Sequence, residues 1–168
     1  RKGIEHAIAL VSALKNDRCK LVISHAKEDE GPEYAQHLVQ FAKYMDVELI
    51  YAGELVGSDR ERTDGHPFTI GDAYQASDLV TFPSTYEGFG NAFVEAVLAK
   101  KPIFVNNYKP VYMQDIGNKG FKTVMLENNQ LTPELVSDMT DIIYNPALCR
   151  EIGEYNYIIG KKHFSFDV

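Results

Sequence analysis

The sequence predicts an α/β fold, a doubly wound parallel sheet covered by helices on both faces. Three observations point there. Segments with apolar residues at helical spacing alternate with short β-branched runs along the chain. Those runs are near-continuously apolar, as in parallel strands buried on both faces. The length of 168 residues, 45% of them hydrophobic, suffices for one domain with a sizeable core.

The elements follow in order. Residues 3–15 (GIEHAIALVSALK) carry the first helical pattern, and KLVIS, 20–24, reads as a buried strand. Residues 32–44 form a helix with Pro32 in its first turn, where a missing N–H is harmless. VELIYAG, 47–53, is a strand, and 54–68, polar and broken by Gly and Pro, is a loop. A short helix at 69–77 leads into the strand LVTFP, 79–83, stopped by its proline. A helix from about 90 to 100 precedes the strand PIFVN, 102–106. The strand FKTVML, 121–126, is followed by two helices, 132–144 and 146–162, divided at Asn145-Pro146. That makes five strands, without an internal repeat. The chain opens on Arg1-Lys2-Gly3 with no initiator Met, and its first element is a helix where a doubly wound fold begins on a strand. Both features predict a piece of a longer protein.

Twenty-four acidic against 17 basic residues give a net charge of -7, which disfavours nucleic acid or an anionic membrane as the main partner. No apolar run approaches the ~20 residues of a membrane span, and no signal-peptide pattern opens the chain. Cys19 and Cys149 are isolated, with no Cys/His cluster for zinc. Free thiols and the lack of a targeting signal make the cytoplasm the expected compartment.

The stretch PSTYEGFGNAFVEAVLAKKPI, 83–103, carries the candidate chemistry. It joins the carboxyl end of a strand to the amino end of a helix, where ligands bind in such sheets. Gly88 and Gly90 would allow positive φ and a close ligand. The helix start offers unpaired N–H groups and a positive dipole end, so Gly88, Phe89, Gly90, Asn91 and Ala92 are candidate donors to phosphate or sugar hydroxyls. Glu87 and Glu95 are eight residues apart, about 12 Å along a helix axis and roughly 80° around it. They would grip two parts of one extended ligand such as a diphosphate with a sugar at each end, since carboxylates accept strong paired bonds from hydroxyls. A plainer reading also fits: Glu87 compensates a helix dipole, and Glu95 faces solvent.

The same stretch resembles the signature of retaining glycosyltransferases of family 4, of GT-B fold. Pro83-Ser84, Glu87-Gly88-Phe89-Gly90, Glu95-Ala96 and Pro102 each match it, and RKGIEHAI, ASDLVTFPS and KKHFSF extend the likeness along the chain. The resemblance implies a Rossmann-like domain, residues 1–168, the C-terminal donor-binding half of a GT-B glycosyltransferase that passes a hexose from a nucleotide-diphosphate sugar to an acceptor. It implies Glu95 at the ribose and Glu87, the catalytic candidate, at the transferred sugar. The amides of Phe89 and Gly90 would meet sugar hydroxyls, and those of Asn91 and Ala92 the diphosphate. Lys2 resembles the family's phosphate lysine, whose partner arginine lies a few residues upstream in the family, outside this sequence. No metal or other cofactor is expected, since helix amides and Lys2 would meet the diphosphate charge. The acceptor would sit on an N-terminal domain, this half gives no sign of membrane association, and alone it would bind donor weakly and catalyse nothing.

The departures are Ser24-His25-Ala26 where many members have a glycine turn, Asn91 in place of an aliphatic residue, and the long charged loop 54–68. His25 reads as a strand-end side chain and His66 as a solvated loop histidine. A sugar-nucleotide epimerase or hydrolase would share the donor site, and a non-catalytic nucleotide-binding module would not need the paired glutamates.

Overall fold

The computed structural model describes residues 2–15, 18–27, 31–57 and 65–164. The chain forms two compact units, one of Ile4–Ala76 and one of Arg1–Gly3 with Ser77–Val168.

In the first unit, α1 (Ile4–Ala13) and α2 (Pro32–Tyr44) flank β1 (Lys20–Ile23), which pairs in parallel with β2 (Glu48–Tyr51) in the register Lys20 opposite Glu48. The spacing of Ile4, Ala7 and Ile8 puts one stripe of α1 inward. It packs with Leu38 and Ala42 of α2 onto Leu21 and Ile23. The alternate residues Val22 and Ile50 are left exposed. This corrects the expectation of strands buried on both faces: β1 alternates, because both helices sit on the side of Leu21 and Ile23. Gly53, just past β2, comes so near the backbone of His25 and Ala26 that a Cβ there would overlap it. The sequence had lacked a glycine after β1, and the one after β2 provides the close approach.

The stretch 54–68 is not wholly a loop. Val56–Gly57 (β3) and Phe68–Thr69 (β4) form a short parallel pair, and residues 58–64 of that segment lie outside the described residues. Two ladder positions within polar, Gly/Pro-broken sequence carry no period-2 signal to read. Next comes α3 (Ile70–Ala76), started by a reciprocal cap. The Thr69 amide donates to the Asp72 carboxylate at 2.8 Å, and the Asp72 amide to the Thr69 hydroxyl at 3.1 Å.

The second unit holds β5 (Val80–Phe82), α4 (Asn91–Leu98), β6 (Ile103–Asn106), β7 (Val124–Leu126), α5 (Pro133–Tyr144) and α6 (Pro146–Phe164). Its three strands are parallel in the order β5-β6-β7, and all four residues of β6, the central strand, are buried. Phe93, Ala96 and Val97 of α4 fill the core with Ile103, Phe104, Leu126 and Met139. Thr132 caps α5 by accepting from the Leu135 amide, and Asn145 does the same for α6 with the Leu148 amide. Between β6 and β7 the chain makes a π-helical turn, Tyr112–Ile116, then a single 3-10 turn, Gly117–Lys119. The sequence had suggested no element there.

Candidate functional site

The site is built where β5 ends. After Phe82 the chain turns through Glu87 to Gly90 and enters α4, with Gly90 as the residue before its first turn and no side chain capping it. A cleft of about 340 Å³ lies over this turn, lined by Lys2, Phe82, Glu87, Gly88, Phe89, Gly90, Asn91 and Ala92. Seven of the eight candidate residues therefore converge on one cleft within one unit. Lys2 and Glu87 are half-buried, while Gly88, Phe89 and Asn91 are exposed. The lining thus combines one ammonium, one carboxylate and the backbone entering a helix, an arrangement suited to a ligand with anionic and hydroxyl groups.

Glu95 does not line this cleft. It is exposed, one turn into α4, on the side opposite the buried Phe93, Ala96 and Val97. The helix is apolar nearly all round, and so its sequence did not show which face carried the carboxylate. The expected 12 Å helical separation from Glu87 does not apply, since Glu87 precedes the helix and sits in the turn. The two glycines also part ways. Gly90 has φ +105°, a region open to glycine, whereas Gly88 has no such conformation and faces open space.

Phe82 and Tyr108 were missed by the sequence reading. Phe82 lines the cleft floor. Tyr108, buried just beyond β6, donates its hydroxyl to the Phe89 carbonyl at 2.8 Å and stands edge-on to Phe82 with ring centres 5.8 Å apart. Burial pushes its phenol well above the ordinary range, and the neighbouring Tyr112, Glu87 and Asp115 push the same way. The one available signal was an aromatic residue directly after a buried strand. Edge-to-face contacts continue from Tyr108 through Tyr112 and Phe93 to Phe121, which stacks on Phe164 near the end of α6, and Phe164 in turn meets the Phe89 ring at 5.7 Å.

Elsewhere, His25 lies just beyond the end of β1 and the exposure of His66 is intermediate, so the latter is not fully solvated. Among the described residues no group of three His, Cys, Asp or Glu side chains is placed to hold a metal ion. No helix there is long and apolar enough to cross a membrane.

The α/β fold with parallel sheets is that of the C-terminal domains of GT-B glycosyltransferases. It matches WaaG, a glycosyltransferase involved in lipopolysaccharide biosynthesis, with a TM-score of 0.66 and 15% identity over 96% of this chain and 40% of that one. It also matches the C-terminal domain of the glycosyl transferase group 1 family protein LpcC from Francisella tularensis, with a TM-score of 0.65 and 18% identity over 98% of this chain and 80% of that one.

Sequence comparison is more specific. Residues 65–158 match the family of glycosyl transferases group 1, to which this chain belongs. It is 32% identical to the mannosylglucosylglycerate synthase of Thermotoga maritima over 99% of this chain and 44% of that protein. It is 34% identical to the enzyme of the same name from Petrotoga mobilis, over 75% of this chain and 33% of that protein. The chain thus spans less than half the length of the curated relatives it matches.

Proposed function

We propose that residues 1–168 are the C-terminal, donor-binding half of a retaining hexosyltransferase of glycosyltransferase family 4, and that the cleft takes a nucleotide-diphosphate sugar. The observation that carries this reading is the convergence of Lys2, Glu87 and the Gly88–Ala92 backbone over the amino end of α4. In it, Lys2 and the first amides of α4 meet the diphosphate, whose charge they offset as the bond to the sugar breaks. Such neutralisation needs no metal. Glu87 accepts from hydroxyls of the transferred sugar and Glu95 from the ribose of a donor that extends past the cleft along α4. The acceptor is held by a separate N-terminal domain. The relatives' name, mannosylglucosylglycerate synthase, supports mannose as the hexose.

The test is a thermal-shift panel of UDP-, GDP- and ADP-linked hexoses, mannose included. One base is expected to raise the melting temperature, since a ligand at a hundred times its dissociation constant stabilises by about 2.7 kcal/mol. A folded chain that responds to none of them overturns the reading. Within the responding series, Lys2→Ala is expected to weaken the nucleoside diphosphate more than the free nucleoside, and equal weakening counts against a phosphate role for Lys2. Glu95→Gln is expected to lose about 1.5–3 kcal/mol of donor binding by calorimetry, and wild-type affinity would remove Glu95 from the site.

A further inference from the structure

We infer that Tyr108 is a positioning residue for the cleft: its hydroxyl fixes the peptide between Phe89 and Gly90 so that the Gly90 N–H faces the ligand. The inference rests on the donor-binding reading above and adds a residue to it.

Tyr108 is 1% exposed, and Phe82 and Tyr112 hold its ring edge-on at 5.8 and 5.5 Å, so the hydroxyl's position is set by packing. It donates to the Phe89 carbonyl at 2.8 Å. Among the described residues the cis peptide is Lys109–Pro110, and the Phe89–Gly90 bond is trans. In a trans peptide the C=O and the following N–H lie in one plane and point in opposite directions. A Phe89 carbonyl turned inward to Tyr108 therefore turns the Gly90 N–H the other way, and Phe89 and Gly90 both line the cleft.

Glycine's own preferences would not hold that plane. At φ +105° Gly90 occupies one of many conformations a glycine accepts, and without an anchor the peptide is free to rotate. The anchor and the glycine fit each other. A Cβ at Gly90 would overlap the Tyr108 hydroxyl and crowd Phe82 at 3.2 Å, so the turn rests directly on the phenol.

The test uses the protein at its full natural length and the nucleotide sugar selected by the thermal-shift panel. Tyr108→Phe keeps the ring and removes only the hydroxyl. Donor KM is expected to rise roughly 2- to 12-fold, as for loss of one hydrogen bond to a sugar hydroxyl, while acceptor KM stays at the wild-type value. A purely structural role would move both or neither, and an unchanged donor KM overturns the inference.

A second measurement examines the contact without reference to activity. Gly90→Ala is introduced into wild type and into Tyr108→Phe, and both are melted. With the hydroxyl gone the new methyl has room, so Gly90→Ala is expected to lower the melting temperature less in the Tyr108→Phe background. Equal losses in the two backgrounds overturn the contact. A wild-type protein that shows this coupling yet uses no nucleotide sugar overturns the functional reading, and the positioning role with it, while leaving the contact standing.

Discussion

Gly88 and Gly90 sit two residues apart in one turn and are glycine for different reasons. Gly90 combines φ +105° with a phenol where its Cβ would be, so the fold itself requires it. Replacing it with alanine is expected to destabilise by about 2–5 kcal/mol, summing left-handed strain and overpacking. Gly88 has neither constraint, and Gly88→Ala is expected to stay within about 0.5 kcal/mol of wild type in urea denaturation while weakening donor binding. An alanine that alters stability but not binding would reverse that assignment. This difference was not legible in the sequence, where both glycines read as turn formers. What could be read was which residues gather: the Glu-Gly-Phe-Gly run fixed the cleft's lining because a strand end and a helix start are contiguous in the chain. Lys2, more than eighty residues away, was placed there mostly by resemblance. Tyr108 could not have been placed at all, since a hydroxyl aimed at a distant carbonyl leaves no local pattern.

Among the elements, α6 is held to its neighbours by residues that look unremarkable in the sequence. A Cβ at Gly153 would overlap the Lys100 carbonyl just past the end of α4, so α6 meets that turn backbone to backbone. Glu154 pairs with the Lys100 ammonium at 2.9 Å, though at an exposed site that adds little. Asn156, wholly buried, accepts from the Lys122 amide and donates to the Lys122 carbonyl, both at 2.8 Å, acting as a strand partner just ahead of β7. Asn156→Leu strands both backbone groups and is expected to destabilise by about 2–5 kcal/mol, read by chemical denaturation. A loss under 1 kcal/mol would mean that other groups satisfy them. The division between α5 and α6 was legible, because Asn145-Pro146 is a local signal that stops one helix and starts the next. The π-helical turn at Tyr112–Ile116 was not, since its spacing matches neither helix nor strand period.

For the whole molecule, the pattern of alternating elements gave the parallel α/β class and five of the seven strands, β3 and β4 being too short to show a period, and one-sided burial of β1 escaped it because an apolar run looks the same whether one face or two are covered. A consequence of burial spans both units. Tyr51, Tyr108 and Tyr112 all have phenols raised above their ordinary value by desolvation. The folded state therefore keeps protons that the unfolded chain gives up above pH about 10. Their contribution to stability is fully present below that pH and is lost as pH rises toward the folded values. The melting temperature is expected to fall steeply from about pH 10 upward, and less steeply in Tyr108→Phe. A variant with the wild-type alkaline profile would show that Tyr108 does not titrate with unfolding.

The edge-to-face pair of Tyr108 and Tyr112 also makes the protein its own optical reporter. The chain has ten tyrosines and no tryptophan. Near-ultraviolet circular dichroism, which registers only aromatic rings held in fixed asymmetric surroundings, should therefore be weighted toward these two buried rings. Inorganic pyrophosphate, which has no aromatic absorption, can be titrated into the cleft while that signal is watched. A change in ellipticity with the far-ultraviolet spectrum constant would register the turn shifting over Tyr108, with no label attached and no background from a nucleobase.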